Sequence, residues 1–414
     1  MPEFLVQLSI NPAGFLRMRL NHGLHLAYCT NVHPGENWDQ TLGSLNRWTL
    51  AVKDRLQYHE PYAIGLRLSD QASRDLIEPS RLLEFQRWLD RHNCYVFTIN
   101  GFPFGRFHGT RVKEQVYLPD WTSGQRLEYT NRLFDLLARL LPPGVDGSVS
   151  TLPGSFKEFI RSADQLQVIR DNIWSCVEHI AGLCDRTSRE LHLGLEPEPL
   201  GLFENSAETA GFFDQLREQH PGDARLDRHL GVNYDTCHFA VEFEQPQDAV
   251  ALLQAHGIRF SKIHLSNALK LRPSPAAVAR LAAFADDVYL HQVIVRSDQG
   301  PLTRFKDLPL AFKRSMGETD PTEEWRVHFH VPLHFDSVGV FETTNDHVLG
   351  LLKLLQAQPR LCSHLEMETY TWAVLPDALK TRDVSEQIVS EYEWTLQKLS
   401  SHGLAQPNIR LGIG

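Results

Sequence analysis

Short apolar runs with a period of two recur along this chain. Each is followed by a longer stretch whose apolar residues return every three or four positions. A period of two marks a strand and a period near 3.6 marks a helix. The pattern therefore predicts strands over 25–29, 63–68, 95–100, 147–151, 192–196, 232–235 and 260–264. Helical patterns fall between them, over 41–56, 125–141, 155–186 and 247–256. Asn205, with Glu208 three residues on, reads as a capping box opening a further helix that Pro221-Gly222 ends. Strand and helix in alternation predict βαβ units and a parallel sheet. Seven such repeats by residue 280 leave one strand to close a barrel. Two segments compete for that place, RVHFHVPLHF at 326–335 and HLEMETY at 364–370, with a helix expected at 345–356 and a last one at 385–399.

Length changes this picture in one respect. A (β/α)8 barrel needs about 250 residues, and the chain has 414. The surplus is expected at 271–325, where Pro-rich turns, a β-like run at 288–296 and a polar tract at 317–324 break the alternation. No linker separates this stretch, so the expectation is one domain over 1–414, an α/β TIM barrel with an insertion between strand seven and strand eight.

Composition is ordinary for a globular chain, with 42% hydrophobic and 22% charged residues. The net charge of −10 and the absence of any Lys/Arg run argue against a nucleic-acid partner, whose phosphates demand a basic surface. Six cysteines without a C-x-x-C pair read as scattered reduced thiols. Residues 1–10 include Glu3 and lack the basic-then-apolar order of a signal peptide. No apolar run reaches the roughly 18 residues of a membrane span. These features lead to the expectation of a soluble, cytoplasmic protein without a membrane span, its oligomeric state left open.

Chemistry-bearing residues collect where strands run out. In a TIM barrel the C-terminal strand ends and the loops after them form the active face. LGLEPEP ends in Glu196 before Pro197, with Glu198 on the same side; GVNYDTCHF brings Asp235 to a strand end, with His238 three residues later; FSKIHLSN places His264 at another; HLEMETYTW adds Glu366 and Glu368 on one face. Each alone has a plainer reading. Glu196 would serve as a surface or capping carboxylate, Asp235 as a helix N-cap, His264 as a hydrogen-bonded core histidine. Glu, Asp and His at three successive strand ends point instead to one shared divalent ion. Carboxylates with imidazole suit Mn²⁺, Mg²⁺, Co²⁺ or Zn²⁺ alike. Further residues are expected to line the pocket: His33 and Glu36 after strand one, Arg67 on strand two as an anion contact, Asn100 and His108 after strand three, and Phe102, Phe104 and Trp372 as apolar walls. If 326–335 were the closing strand, His328, His330 and His334 would share a face, and His330 would be the ligand or substrate contact.

YDTCHF at 234–239, followed by KIHLSN at 262–267, resembles the xylose isomerase-like barrel superfamily of sugar and sugar-phosphate isomerases, keto-sugar epimerases and a class of apurinic endonucleases. The resemblance implies that Asp235 binds metal, that His238 contacts substrate or a second metal, that His264 and Glu196 are ligands, and that Glu368, ahead of its competitor Glu366, is the last ligand. Along nearly its whole length the chain also resembles the metabolite traffic protein EboE family, through LAYCTNVHPGE (26–36), GLRLS (65–69), INGFPFG (99–105), WRVHFHVPLH (325–334) and LEMETYTWAVLP (365–376). That family belongs to bacterial clusters that make or move secondary-metabolite precursors.

Three functions follow as expectations. The first is a metal-dependent isomerase or epimerase acting on a polyhydroxylated small molecule, with Glu196 and Glu368 as base and acid. The second is a metabolite-binding or traffic protein on the same barrel without turnover. The third is an apurinic-site endonuclease, disfavoured by the negative charge and by the lack of an Asp-x-His segment after strand seven.

Overall fold

Seven parallel strands form where the two-residue periodicity places them: β1 (His25–Tyr28), β2 (Tyr62–Arg67), β3 (Cys94–Asn100), β4 (Gly147–Thr151), β5 (Leu191–Leu195), β6 (Leu230–Asp235) and β7 (Arg259–Leu265). The computed structural model describes residues 20–406, apart from 107, 110, 299, 316–319, 321, 339 and 381. Residues 1–10, read above for a signal peptide, lie outside them, as does part of the polar tract at 317–324. Seven further strands follow: β8 (Asn267–Leu271), β9 (Val293–Arg296), β10 (Thr303–Phe305), β11 (Glu324–Val331), β12 (Ser337–Val338), β13 (Phe341–Thr343) and β14 (His364–Met367).

The eight-stranded sheet runs β1-β14-β7-β6-β5-β4-β3-β2, and every pairing in it is parallel. A single parallel bridge between Cys29 and Gly65 joins its two edges. The chain is thus an α/β barrel of eight parallel strands. Its strands are buried almost throughout, as expected when helices cover the outside and side chains fill the inside. The seam is narrow for a local reason. A Cβ on Gly65 would run into the Glu366 carboxylate and lie 2.7 Å from the Tyr28 carbonyl oxygen. Only a hydrogen side chain lets β1 and β2 meet over that carboxylate.

The closing strand is β14, so the competing segment at 326–335 is not a barrel strand. It forms β11 of a second, antiparallel sheet ordered β10-β9-β11-β8-β13-β12. Alternation identified it correctly as a strand, but periodicity carries no information about which partner a strand pairs with. The excursion also starts earlier and ends later than 271–325. Only Ser266 separates β7 from β8, and β13 still belongs to the second sheet. The chain then enters the helix Asn345–Ala357 and returns to the barrel.

β11 has two distinct faces. Trp325, Val327, Phe329 and Val331 enter a small apolar core with Leu269, Leu281, Phe284 and Val293. Arg326, His328 and His330 point the other way and are buried as well, because that face lies on the barrel mouth. Arg326 donates to the Ala240 carbonyl (2.6 Å) and His330 Nδ1 to that of Glu368 (2.9 Å).

The expected helices form, but some ends differ: the one expected over 155–186 begins only at Ala163, capped by Ser162. Asn205 caps the helix Ser206–Gln219 by accepting from Glu208 N (3.0 Å). The reciprocal half of the box is missing. Glu208 instead accepts from Glu204 N (2.9 Å) and pairs with Lys157.

Candidate functional site

β6 and β7 run in register with Asp235 opposite His264, and β14 sets Glu366 opposite His264 on the other side. Glu196 follows the last residue of β5, its N–H donating to Thr151 O (2.9 Å); Glu368 follows β14, its N–H donating to Leu265 O (3.0 Å). Parallel pairing thus brings four strand ends to one level. Glu196, Asp235, His264 and Glu368 are 3%, 0%, 0% and 5% exposed. One ligand atom from each lies within 4.8 Å of the others. The surface-carboxylate reading of Glu196 is therefore ruled out.

Asp235 caps the next helix with one oxygen and leaves the other facing the cluster. Oδ1 accepts from Cys237 N (2.7 Å), His238 N (3.1 Å) and Ser266 Oγ (2.6 Å), which caps the next helix. Oδ2 is buried and finds no hydrogen-bond donor among the described residues. An orphaned carboxylate oxygen is costly in a dry site and calls for a positive partner. His264 is held from behind. Its Nε2 lies 2.8 Å from Glu366 Oε2, which also accepts from Lys262 Nζ (2.6 Å). With Nε2 turned to Glu366, Nδ1 faces Glu196 Oε1 (3.0 Å), Glu368 Oε2 (3.2 Å) and Asp235 Oδ2 (3.5 Å), the position where a proton or a bound ion would sit between them. A carboxylate behind an imidazole is the usual support of a metal-ligating histidine. The two β14 glutamates are placed differently. Glu368 reaches the four-residue cluster, and Glu366 sits one layer deeper on the far side of His264.

The charge balance is lopsided. Five buried carboxylates (Glu196, Glu198, Asp235, Glu366 and Glu368) crowd this space; Lys262 pairs with Glu366, and Lys113 at the pocket wall is paired with Asp307. Burial pushes the Glu198 carboxyl well above its ordinary range, and Glu196 pushes it further. Burial would do the same to Glu366, but Lys262 and His264 outweigh it and hold the group at about 2. Burial alone would discharge His264; the Glu368 and Glu196 carboxylates reverse that and drive its pKa well up. A divalent cation among these oxygens would supply the missing positive charge and take the Nδ1 lone pair. The donor set fits such an ion.

The other anticipated contacts divide into two groups. His238, Glu198, His328 and Phe102 line a pocket that also reaches Glu196 and Glu368. His330 is buried beside it, on the second sheet and not on a barrel strand. Asn100 donates to Glu368 Oε1 (3.3 Å) and thereby positions it.

Arg67 does not face the pocket. Its guanidinium donates to the carbonyls of Gly35 (2.8 Å), Pro103 (3.4 Å) and Gly105, so it ties loops together, buried outside the pocket lining. His33 stacks on Trp48 (4.8 Å) and contacts Tyr28 OH (3.0 Å), buried away from the site. Trp372 lines a different crevice with Tyr28, Met367 and Glu391. Phe104 packs on Tyr129 (4.9 Å) instead of forming a wall, and His334 sits near Gln387 outside the pocket. These residues follow strand ends in sequence, but their loops turn them outward or into packing.

Several contributors had not been singled out. Asn31 donates to Glu368 Oε1 (2.7 Å). Lys262 lies two residues before His264, hence on the same inward face, and that spacing was the available signal. Gln292, Tyr117, Tyr289 and Tyr370 line the pocket from loops and from the second sheet, with no motif to mark them.

No protein-family model and no curated protein matches the chain. Solved structures do resemble it. A D-tagatose 3-epimerase-like protein is 14% identical, with 90% of this chain and 98% of that one covered and a TM-score of 0.44. The IOLI protein with a bound zinc atom is 12% identical over 91% and 98%, at 0.44. An L-ribulose 3-epimerase is 10% identical over 91% and 95%, at 0.48. The barrel itself is established by its own strand order.

Proposed function

We propose that this chain is a metal-dependent isomerase or epimerase of a small polyhydroxylated substrate, acting at the mouth of the barrel. The observation that carries the reading is the buried meeting of Glu196, Asp235, His264 and Glu368, with Asp235 Oδ2 lacking any other partner. These four residues would hold the ion, of Mn, Mg, Co or Zn type. When bound, it would polarise the substrate carbonyl and steady charge on its oxygen.

Proton transfer falls to the chain's own carboxylates. Glu196 and Glu368 both face the pocket. One takes the proton from the carbon beside the carbonyl, and the electron pair moves onto the carbonyl oxygen as an enediolate. The other returns a proton to the opposite face of the same carbon, giving an epimer, or to the former carbonyl carbon while the hydroxyl proton passes to its oxygen, giving an isomer. Asn31 and Asn100 donate to Glu368 Oε1 and position that carboxylate, while, against its burial, His264 and His330 lower its pKa, as suits a base. The reading treats both sheets as one unit, because His328 and Gln292 of the second sheet wall the same pocket. The resemblance to the metabolite traffic family adds that the substrate is a secondary-metabolite precursor.

Solvent exchange tests the chemistry without knowing the substrate. The metal-loaded full chain is incubated in D₂O with a panel of keto-sugars and keto-cyclitols, and deuterium beside the carbonyl is read by NMR. Exchange should be metal-dependent and fall by at least about 10²-fold in Glu196→Gln and in Glu368→Gln. A loaded chain that binds panel members but exchanges none of them would be a binding protein. A chain that takes up no metal, with function intact in Asp235→Ala, would end the reading altogether. Abasic-site DNA is the control and should remain uncut.

A further inference from the structure

A separate group of ion-binding side chains gathers at the end of the barrel opposite the mouth, where the strands begin. His192 is the second residue of β5, His364 opens β14 and Asp146 directly precedes β4. His192 and Glu196 are four residues apart, as are His364 and Glu368, so within each strand both face the same way. At about 3.3 Å of rise per residue, the two levels are about 13 Å apart. The same two strands therefore carry polar groups to the mouth and to the floor. His192 and His364 are 1% and 0% exposed, while the Asp146 side chain is 27% exposed.

One carboxylate faces both rings. His192 Nε2 lies 3.2 Å from Asp146 Oδ2, and His364 Nε2 lies 3.3 Å from Asp146 Oδ1. A direct N–H···O bond is most often about 2.9–3.0 Å long, and the contact of His264 with Glu366 in the same barrel is 2.8 Å. Donor atoms around a tetrahedral ion bound at about 2.0–2.1 Å stand about 3.3 Å apart. One ligand atom from each of the three residues lies within 4.8 Å of the others. The second nitrogen of each ring is held from behind by a serine, Ser261 Oγ for His192 (2.6 Å) and Ser148 Oγ for His364 (2.8 Å). A hydroxyl donates or accepts, so these bonds fix both rings whichever nitrogen carries the proton. The neighbouring cation Arg259 reaches only Asp146 Oδ2, at 3.4 Å, as does Ser363 Oγ at 3.4 Å.

We propose that Asp146, His192 and His364 hold a zinc-type divalent ion at the barrel floor, with water completing its shell. Two imidazoles and a carboxylate from three separate segments are a zinc-type donor set, and the serines behind the rings are the outer support that ligating histidines have. The partly exposed carboxylate gives the ion a way in from solvent. None of the three residues lines the substrate pocket, so the ion is structural and not catalytic. It ties β5 and β14 to the start of β4 across the inside of the barrel. The floor site shares no ligand with the four-residue centre and stands or falls apart from it.

The test removes the mouth ligands first. Metal-stripped full-length chain, as wild type and as Glu196→Ala/Asp235→Ala, is refilled with Zn²⁺, desalted, and its ions are counted by mass spectrometry of the metal. The double variant should keep one ion per chain, and adding Asp146→Asn or His364→Gln should remove it. Zn²⁺ should raise the thermal midpoint of the double variant and leave that of the triple variants unchanged. Ser261→Ala keeps all three ligands but removes the support of His192. It should weaken the floor ion by about 10- to 100-fold, and it serves in the wild-type background if the other variants fail to fold by circular dichroism. One ion in wild type and none in the double variant would overturn the floor site, leave the mouth centre standing, and mean that hydrogen bonds alone hold Asp146 to the two rings. An ion that survives both Asp146→Asn and His364→Gln in the double variant would overturn it as well. One ion in wild type, kept in the double variant and lost with Asp146→Asn, would uphold the floor site and end the metal reading of the mouth. No ion in wild type would overturn both.

Discussion

Gly65 shows how much can rest on a missing side chain. It lies at the β1–β2 seam, where a Cβ would collide with the Glu366 carboxylate. Glu366 in turn orients His264 and pairs with Lys262 inside the barrel. Gly65→Ala should therefore cost about 1–3 kcal/mol of stability, as overpacking does, and should also weaken metal binding by displacing Glu366. Denaturant unfolding and metal titration on the same sample check both; a stability loss with unchanged metal affinity would mean that the carboxylate yields without moving His264. Glu391 offers a test with a pH sign. Burial raises its carboxyl from 4.5 to about 7. The folded pKa lies above the unfolded one, so the stability it allows below pH 4.5 is lost as pH rises through 7. Glu391→Gln keeps an oxygen for Thr369 Oγ1 and should stabilise the protein at pH 8, by about 1–3 kcal/mol, with little effect at pH 5. Thermal melts at the two pH values decide it, and an equal effect at both would refute the assignment.

At the scale of elements, the second sheet is held over the barrel mouth by a few side chains that bridge loops. Lys113, after β3, donates to Asp286 O (2.7 Å), Tyr289 O (2.6 Å) and Asp307 Oδ2 (2.7 Å). It joins one wall of the pocket to the inserted segment. Lys113→Met leaves Asp307 without its cation and should loosen both sides at once. Hydrogen exchange should rise over 102–117 and over 286–307 while the barrel strands keep their protection. A rise on one side only would show that the lysine is not the tie. β11 teaches a second lesson. Its apolar and polar residues alternate as in any half-buried strand, yet both faces are buried, because the polar one closes the site. Alternation predicted that His328 and His330 share a face; the barrel mouth beneath that face was not in the pattern.

For the molecule as a whole, buried histidines set the acid limit. Burial lowers His33 from 6.5 to about 3 and His347 from 6.5 to about 4. The folded pKa lies below the unfolded one, so the unfolded chain takes up these protons first. The stability present above pH 6.5 is lost as pH falls from 6.5 towards 4. Each residue contributes about 1–3 kcal/mol to that loss. The thermal midpoint should drop over this window, and less steeply in His33→Gln and His347→Gln. A flat profile in wild type would show that these rings are solvated.

The strand–helix alternation already determined the barrel, and the residues at three strand ends already named its acids and imidazole. The reason is physical. Parallel strands in register bring their C-terminal ends to one level, so Glu196, Asp235 and His264 had to meet once the barrel formed. The depth that separates Glu366 from Glu368, the loss of Arg67, His33 and Trp372 to packing, and the arrival of His328 and His330 from outside the barrel were left to the tertiary structure. Which loop turns inward, and which sheet a strand joins, depends on contacts between segments far apart in the chain. Local periodicity does not encode those contacts.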